Sequence, residues 1–360
     1  MNIFICTHFG DLHAIATQYA LEKAGHNVFR WIAESSTDTQ KHSILFDGTD
    51  NSYNLLYDET AVNLESFDVI WWRRMNDITL SSNINDGDRD FAVKEWRAVY
   101  DALPMLFRHD ARWINSWRGR RLADMKLLQL KEAQSVGLQI PQTLVSNNAE
   151  DIRAFASNHV DGIVHKMFEP AAWRNDSVMV RSRTRRVLPS HLENSLTLSL
   201  CPGVFQQRIT KVRELRATFM GEEYLCVAIE PKDDPDGVCD WRSIPIPDRK
   251  MVMVDLPTDI VQRCHALMKK LDISFGYFDL LVTENDQYIF LEVNENGQFL
   301  WIEQDNPEIK MLNKFCEFLV GADCDTPALK DIFGDDEFLA MFKLERDGAN
   351  KRFDMATKAA

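Results

Sequence analysis

The stretch Gly276–Gln298, GYFDLLVTENDQYIFLEVNENGQ, decides the fold. It reads as two β-strands, about Gly276–Thr283 and Tyr288–Val293, around a polar turn. Side chains alternate along a strand, so Ile289, Leu291 and Val293 are expected on one face and Phe290, Glu292 and Asn294 on the other. A two-residue turn at Asn285-Asp286 would set Asp279 directly opposite Glu292, with Asn294 one step along on the same face. Facing like charges destabilise a sheet, so something positive is expected between them. Hard oxygen ligands of this kind suit Mg²⁺, which keeps waters and bridges nucleotide phosphates. The plainer reading, polar residues on a solvated face, suits a lone Asp or Glu better. Here two carboxylates and an amide are followed at once by Asn296-Gly297-Gln298.

Working outward, the residues before this hairpin alternate between strand and helix patterns. Strands are expected at residues 2–6, 28–31 and 67–73 (FDVIWWR), and helices at 12–24 and 91–102, which suggests a small α/β domain up to about residue 115. Its first βα turn lacks G-x-G-x-x-G, which disfavours a dinucleotide-dependent dehydrogenase. A helix over roughly 120–136 follows, capped by Gly137, then an extended segment at 142–145, a helix at 149–157 and a strand at 162–166. Residues 177–187 fit a hairpin with a basic turn. Strands are expected at 204–209, 214–220 and 224–229, and a helix at 258–271. Beyond about 326 the chain is charged and Gly/Asp-punctuated, with a short helix near 337–344.

The 360 residues carry a net charge of −14, which argues against broad nucleic-acid or anionic-membrane binding. No apolar run approaches the ~20 residues needed to span a bilayer, and the N-terminus reads as a strand rather than a signal peptide. Seven scattered cysteines, without C-x-x-C spacing, fit reduced thiols in a cytoplasm.

Lys166 ends the strand GIVHK, where it could reach into a cleft and meet phosphate oxygens, and Lys126 lies in the helix around 120–136. A surface role is the default for either alone, since no P-loop motif occurs. Their order is informative: Lys126, then GLQIPQTLV, GIVHK, VFQQRI, ELRATFMGEEY, YFDLLV and FLEVNENGQ. In this series the sequence resembles the ATP-grasp superfamily up to about residue 320. It is most similar to the peptide-ligase branch, which includes glutamate ligases acting on a ribosomal protein and the maturases of microviridin-type peptides (graspetides). The most specific pieces are LEVNENGQFLWIE (291–303), WWRR (71–74) and the NS…K…GLQIPQT series (115–143).

The resemblance implies an α/β chain in which two α+β lobes clasp ATP behind a pre-ATP-grasp domain. Its parts would be 1–115 (pre-ATP-grasp), 116–200 (first lobe), 201–325 (second lobe with the metal site) and 326–360 (an extension). It implies ATP and Mg²⁺ as cofactors, with Lys126 and Lys166 on phosphates and backbone groups of Gln207 and Ile209 on adenine. Glu214 would lie near ribose, and Arg216 on the γ-phosphate and acyl phosphate, Arg216 and Lys166 being the catalytic pair. Asp279, Glu292 and Asn294 would be the metal ligands. It further implies a cytoplasmic homodimer acting on a precursor peptide with acidic core residues, with neither nucleic acid nor membrane as partner. Two departures stand out. Residues 167–186 lack the glycines of the loop that covers the triphosphate, and Gln206-Gln207 replaces an acidic hinge residue.

The expected reaction is an ADP-forming ligation through an acyl phosphate, joining Asp or Glu side chains to Ser, Thr or Lys side chains. An amino-acid or small-molecule carboxylate–amine ligase is the alternative, and a non-catalytic nucleotide- or peptide-binding module the alternative of another class. Arg183 and Arg185, in the run Arg181–Arg186, could grip acidic side chains; a solvated basic turn is the competing reading. Arg73 and Arg74 are candidates for a cleft, and Trp301 for an acceptor pocket, as a peptide contact if exposed and as packing if buried.

Overall fold

The computed structural model describes residues 1–48, 51–76, 78–168, 172–175, 178–181, 184–229 and 251–358. The chain is mixed α/β and forms two compact units. The first comprises residues 1–120, 273–275 and 296–360, and the second residues 121–272 and 276–295. No helix among the described residues is long and apolar enough to cross a membrane, and the six described cysteines are free.

The first unit is built on a parallel sheet in the order Asn27–Ile32, Asn2–Thr7, Val69–Trp72, Arg112–Ile114. Parallel strands covered on both faces need apolar side chains on both, which explains the double tryptophan. Trp72 packs with Phe4, Trp31, Phe67 and Phe107 in an aromatic core. Trp71, turned the other way, meets Phe315 of helix Met311–Val320 at a ring-centroid separation of 4.7 Å. A three-stranded antiparallel meander, Gln40–Leu45, Ser52–Tyr57 and Thr60–Asn63, adds to this unit. The expected short helix at 337–344 is one helix over Asp336–Lys358. Its Glu345, buried, pairs with Arg30 and accepts from the Gly10 N–H at 3.3 Å.

The second unit holds a five-stranded sheet in the order Met251–Met253, Glu223–Ile229, Arg213–Met220, Phe275–Val282, Tyr288–Asn294. Helix Thr258–Leu271 buries Ile260, Cys264, Leu267, Met268 and Leu271, the stripe that its i, i+4, i+7 spacing prescribes. A four-stranded sheet runs Arg185–Arg186, Ile163–Lys166, Gly203–Gln207, Thr143–Ser146.

Several expectations are corrected. The helix expected over 120–136 is two helices, Trp117–Ala123 and Lys126–Ser135, broken where Met125 takes an extended conformation with ψ 93°. The break makes Lys126 the first residue of its helix. The hairpin expected at 177–187 lies partly outside the described residues, and those described pair elsewhere. Val178–Arg181 pairs back onto Ala172–Asn175, while Arg185–Arg186 pairs with Val164 and His165. The strand expected at 204–209 ends at Gln207, so Ile209 lies beyond it.

Candidate active site

Asp279 and Glu292 face each other across the hairpin, and Asn294 faces Tyr277 two residues along. The route to this pairing differs from the one expected. The loop holds three residues, Glu284–Asp286, closed by Thr283 N–H to Gln287 O at 3.1 Å, with Asp286 left-handed at φ 54°. That loop sets Leu280 opposite Phe290 and Leu281 opposite Ile289, and a bulge at Leu291 restores Asp279 to Glu292. Phe290 therefore lies on the face opposite Glu292, where it meets Phe278 (centroids 6.0 Å apart), rather than sharing the Glu292 face. Glu292 and Asn294 remain on one face.

The neighbouring strand Arg213–Met220 carries the same alternation. Phe219 packs on Phe278 on the core side, and Glu214 and Arg216 take the other face with Asp279. Arg216 is buried, with Nη1 2.7 Å from Asp279 Oδ1 and Nη2 donating to Glu214 Oε2 at 3.1 Å. Burial alone would lower the guanidinium pKa, but Asp279, Tyr277, Glu214 and Glu292 outweigh it and raise it. Lys211 also pairs with Glu214. Lys126 Nζ lies 3.6 Å from Glu292 Oε2 and donates to the Met167 carbonyl at 3.3 Å. Lys166, half-buried at its strand end, has its pKa lowered, first by burial and further by Lys126 and Arg216, against the pull of Glu292 and Asp279. Lys126, Lys166, Glu214, Arg216, Asp279 and Glu292 thus form one electrostatic cluster in the second unit.

Two carboxylates and an amide on one face form a hard-oxygen donor set that fits Mg²⁺, which needs few protein ligands when phosphates supply the rest. Among the described residues, no group of three or more His, Cys, Asp or Glu is gathered as a metal site; this set has only two acids. The Gln207 N–H is committed to Gln142 O at 2.9 Å. Arg185 is exposed, and Arg183 lies outside the described residues.

Arg73, Arg74 and Trp301 belong to the first unit. Arg73 is fully buried, its Nε donating to Asp11 Oδ2 at 2.6 Å and its Nη1 to the carbonyls of Asn296 (3.1 Å) and Gly297 (3.4 Å). Arg74 Nη2 donates to the same Asn296 carbonyl at 3.2 Å. Trp301 is half-buried, neither of the two states expected, and its indole N–H donates to Gln298 O at 2.9 Å. Sequence reasoning missed Asp11 and His13. Burial drives the His13 pKa well below its usual value, and the neutral ring accepts from the Phe299 and Leu300 N–H groups at 2.9 and 3.1 Å. Asp11, which burial would raise, is held below the carboxylate range by Arg73. Arg73, Arg74 and His13 together tether residues 296–300, the segment that follows strand Tyr288–Asn294. Each of Asp11 and His13 reads, in isolation, as an ordinary helix-cap residue.

Residues 2–121 match the family model for the MvdD pre-ATP grasp domain. The whole fold is similar to a Chryseobacterium gregarium RiPP-associated ATP-grasp ligase, solved with ADP and a leader and core peptide. The TM-score is 0.79 at 28% identity, covering 91% of this chain and 99% of that one. The fold is the ATP-grasp fold. The chain is also similar to two macrocyclases from Microcystis aeruginosa. One is MdnC, bound with precursor peptide MdnA (TM-score 0.77, 28% identity, 89% and 100% coverage). The other is MdnB (TM-score 0.74, 28% identity, 89% and 99% coverage). None of the curated proteins compared matches it.

Proposed function

We propose that this chain is an ADP-forming ligase that matures a ribosomally made peptide, linking its Asp or Glu side chains to Ser, Thr or Lys side chains as esters or amides. The observation that carries this reading is the cluster of Arg216, Lys126 and Lys166 around Asp279 and Glu292. It belongs to a chain matched almost end to end by a peptide-bound ligase.

A carboxylate is a poor electrophile, so the peptide carboxylate oxygen takes the γ-phosphoryl group of ATP, releasing ADP. The hydroxyl or amine then attacks the acyl carbon, loses its proton and expels inorganic phosphate; the peptide loses one water per bond. Transfer from a triphosphate to an anion needs positive charge placed beforehand. Arg216, held from both sides by Glu214 and Asp279, offers a fixed guanidinium for the γ-phosphate and the acyl phosphate. Lys126 and Lys166 meet the other phosphate oxygens. Mg²⁺, held by Asp279, Glu292 and Asn294, would screen the triphosphate. Adenine would meet the Gln207 carbonyl and the Ile209 N–H, since the Gln207 N–H is engaged, and Glu214 would lie toward ribose. Arg183 and Arg185 would grip acidic residues of the peptide, with Arg74 and Trp301 serving the acceptor side. A cytoplasmic homodimer completes the proposal, with the pre-ATP-grasp domain at 1–115, lobes at 116–200 and 201–325, and an extension at 326–360.

The test is the intact mass of a short acidic precursor peptide after incubation with the chain, Mg²⁺ and ATP. Loss of one or more waters with ADP formed supports a cyclising peptide ligase. ADP formed only when a free amine and acid are supplied overturns it in favour of a small-molecule ligase. No ADP under any of these conditions points to a binding module.

A further inference from the structure

Strand Tyr288–Asn294 is the edge of its sheet, and an edge strand presents backbone N–H and C=O groups with no strand to bind them. Val293, between Glu292 and Asn294, is fully buried, so its outward-facing groups must be satisfied by protein. One side chain does this. The Val293 N–H donates to Gln129 Oε1 at 2.9 Å, and Gln129 Nε2 donates to Val293 O at 2.8 Å. Gln129 Nε2 also donates to the Ala123 carbonyl, across the break between the two helices. The amide therefore supplies the two bonds a further strand would make. Its three contacts fix its orientation, because a flipped amide would set N–H against N–H. Gln129 is itself 5% exposed and lies one helical turn after Lys126, whose ammonium faces Glu292.

The bulge makes this clamp consequential. Pairing changes register between Asp279 and Leu280, so the loop does not dictate where Glu292 and Asn294 stand. Something on the far side of the bulge must, and Gln129 grips the residue between them. We propose that Gln129 is a positioning residue: by acting as a surrogate strand at Val293 it sets the placement of Glu292 and Asn294, and so the affinity for a divalent cation. The inference rests on reading those two side chains as cation ligands.

The experiment is Mn²⁺ titration of the full chain with ADP present, followed by electron paramagnetic resonance, for wild type, Glu292→Ala, Gln129→Met and Gln129→Glu. Methionine keeps the length and helix propensity of glutamine but makes neither bond. Partners that orient a metal ligand are typically worth about 10–100-fold in metal affinity, so Gln129→Met is expected to weaken Mn²⁺ by that factor. Its Val293 amide should exchange faster while the circular dichroism is unchanged. In turnover the Mg²⁺ requirement should rise, with kcat near wild type once Mg²⁺ saturates, a split that general destabilisation would not give. Wild-type Mn²⁺ affinity in Gln129→Met, with Glu292→Ala weakened, overturns the role of Gln129 and leaves the ligand reading standing. Affinity unchanged in Glu292→Ala removes the ligand reading, and the inference with it. If Gln129→Met does not fold, Gln129→Glu decides: weaker Mn²⁺ binding despite the added negative charge supports the clamp, and unchanged or tighter binding refutes it.

Discussion

Replacing Arg73 with methionine isolates the energetics of the first unit. The guanidinium is wholly buried against Asp11. Without it the carboxylate keeps only the Thr7 hydroxyl, at 2.8 Å, and the His13 N–H, at 3.2 Å. Removing one partner of a buried pair costs about 3–5 kcal/mol, because the other charge is left uncompensated. That is a large share of the roughly 5–15 kcal/mol that holds a typical domain together. The pH dependence gives a second, independent signature. In wild type the Asp11 pKa is depressed when folded, so its stabilisation is present above the unfolded pKa, about 3.9, and is lost as pH falls through the lower folded value. In Arg73→Met the main opposing charge is gone, and burial raises the carboxyl instead. The deficit is then largest at neutral pH and shrinks on acidification as Asp11 takes up its proton. Urea unfolding followed by tryptophan fluorescence reads the right unit, since Trp31, Trp71 and Trp72 are all buried there. At pH 7 the variant should lose about 3–5 kcal/mol, with a smaller gap at pH 5, and adding Asp11→Asn should recover part of the loss. A loss under about 1 kcal/mol, or a gap that does not change with pH, would refute the assignment of Asp11 and Arg73 as a buried ion pair.

Other expectations follow from the same contacts. Lys166 has a lowered pKa, so it loses its proton earlier than an ordinary lysine as pH rises. ATP affinity, measured by calorimetry from pH 7 to 10, should fall on the alkaline side, and Lys166→Arg should flatten that fall. Glu292→Ala should keep its circular dichroism but lose roughly two powers of ten or more in ADP formation; near-normal ADP formation would sink the metal assignment. Glu345→Ala leaves buried Arg30 without its carboxylate, and should lower first-unit stability by about 3–5 kcal/mol in the same fluorescence assay.

The parts legible in sequence were those governed by local rules. Helix Thr258–Leu271 carries a full apolar stripe, and Ala149–Ser157 begins at an Asn cap whose side chain accepts from Glu150 N–H; both stand where the pattern placed them. The strand carrying Trp71 and Trp72 was legible from its uninterrupted apolar run. The meander at 40–63 was not, because its strands are mostly half-buried or exposed and show no clean alternation. The break before Lys126 was hidden by Asp124 and Met125, neither a helix breaker by type. The pairing of Asp279 with Glu292 came out as reasoned, while the loop and bulge producing it did not. Register depends on which residues the core claims, and Phe290 is claimed by Phe278. Gln129, Asp11 and His13 escaped notice because their work is on backbone groups far away in sequence.

The bulge at Leu291 also separates two demands that a regular strand would force into conflict. On the turn side, Ile289 and Phe290 are phased to the packing of the sheet; on the other side, Glu292 and Asn294 are phased to the polar face that carries the proposed metal site. One extra residue is a half-period shift between the two programmes. Each half can then drift on its own: apolar substitutions near the turn can repack without re-aiming the carboxylates, and the polar half can change without expelling an aromatic ring. Deleting Leu291 would fuse the phases, leaving the strand to keep either its buried phenylalanine or its facing carboxylates, but not both.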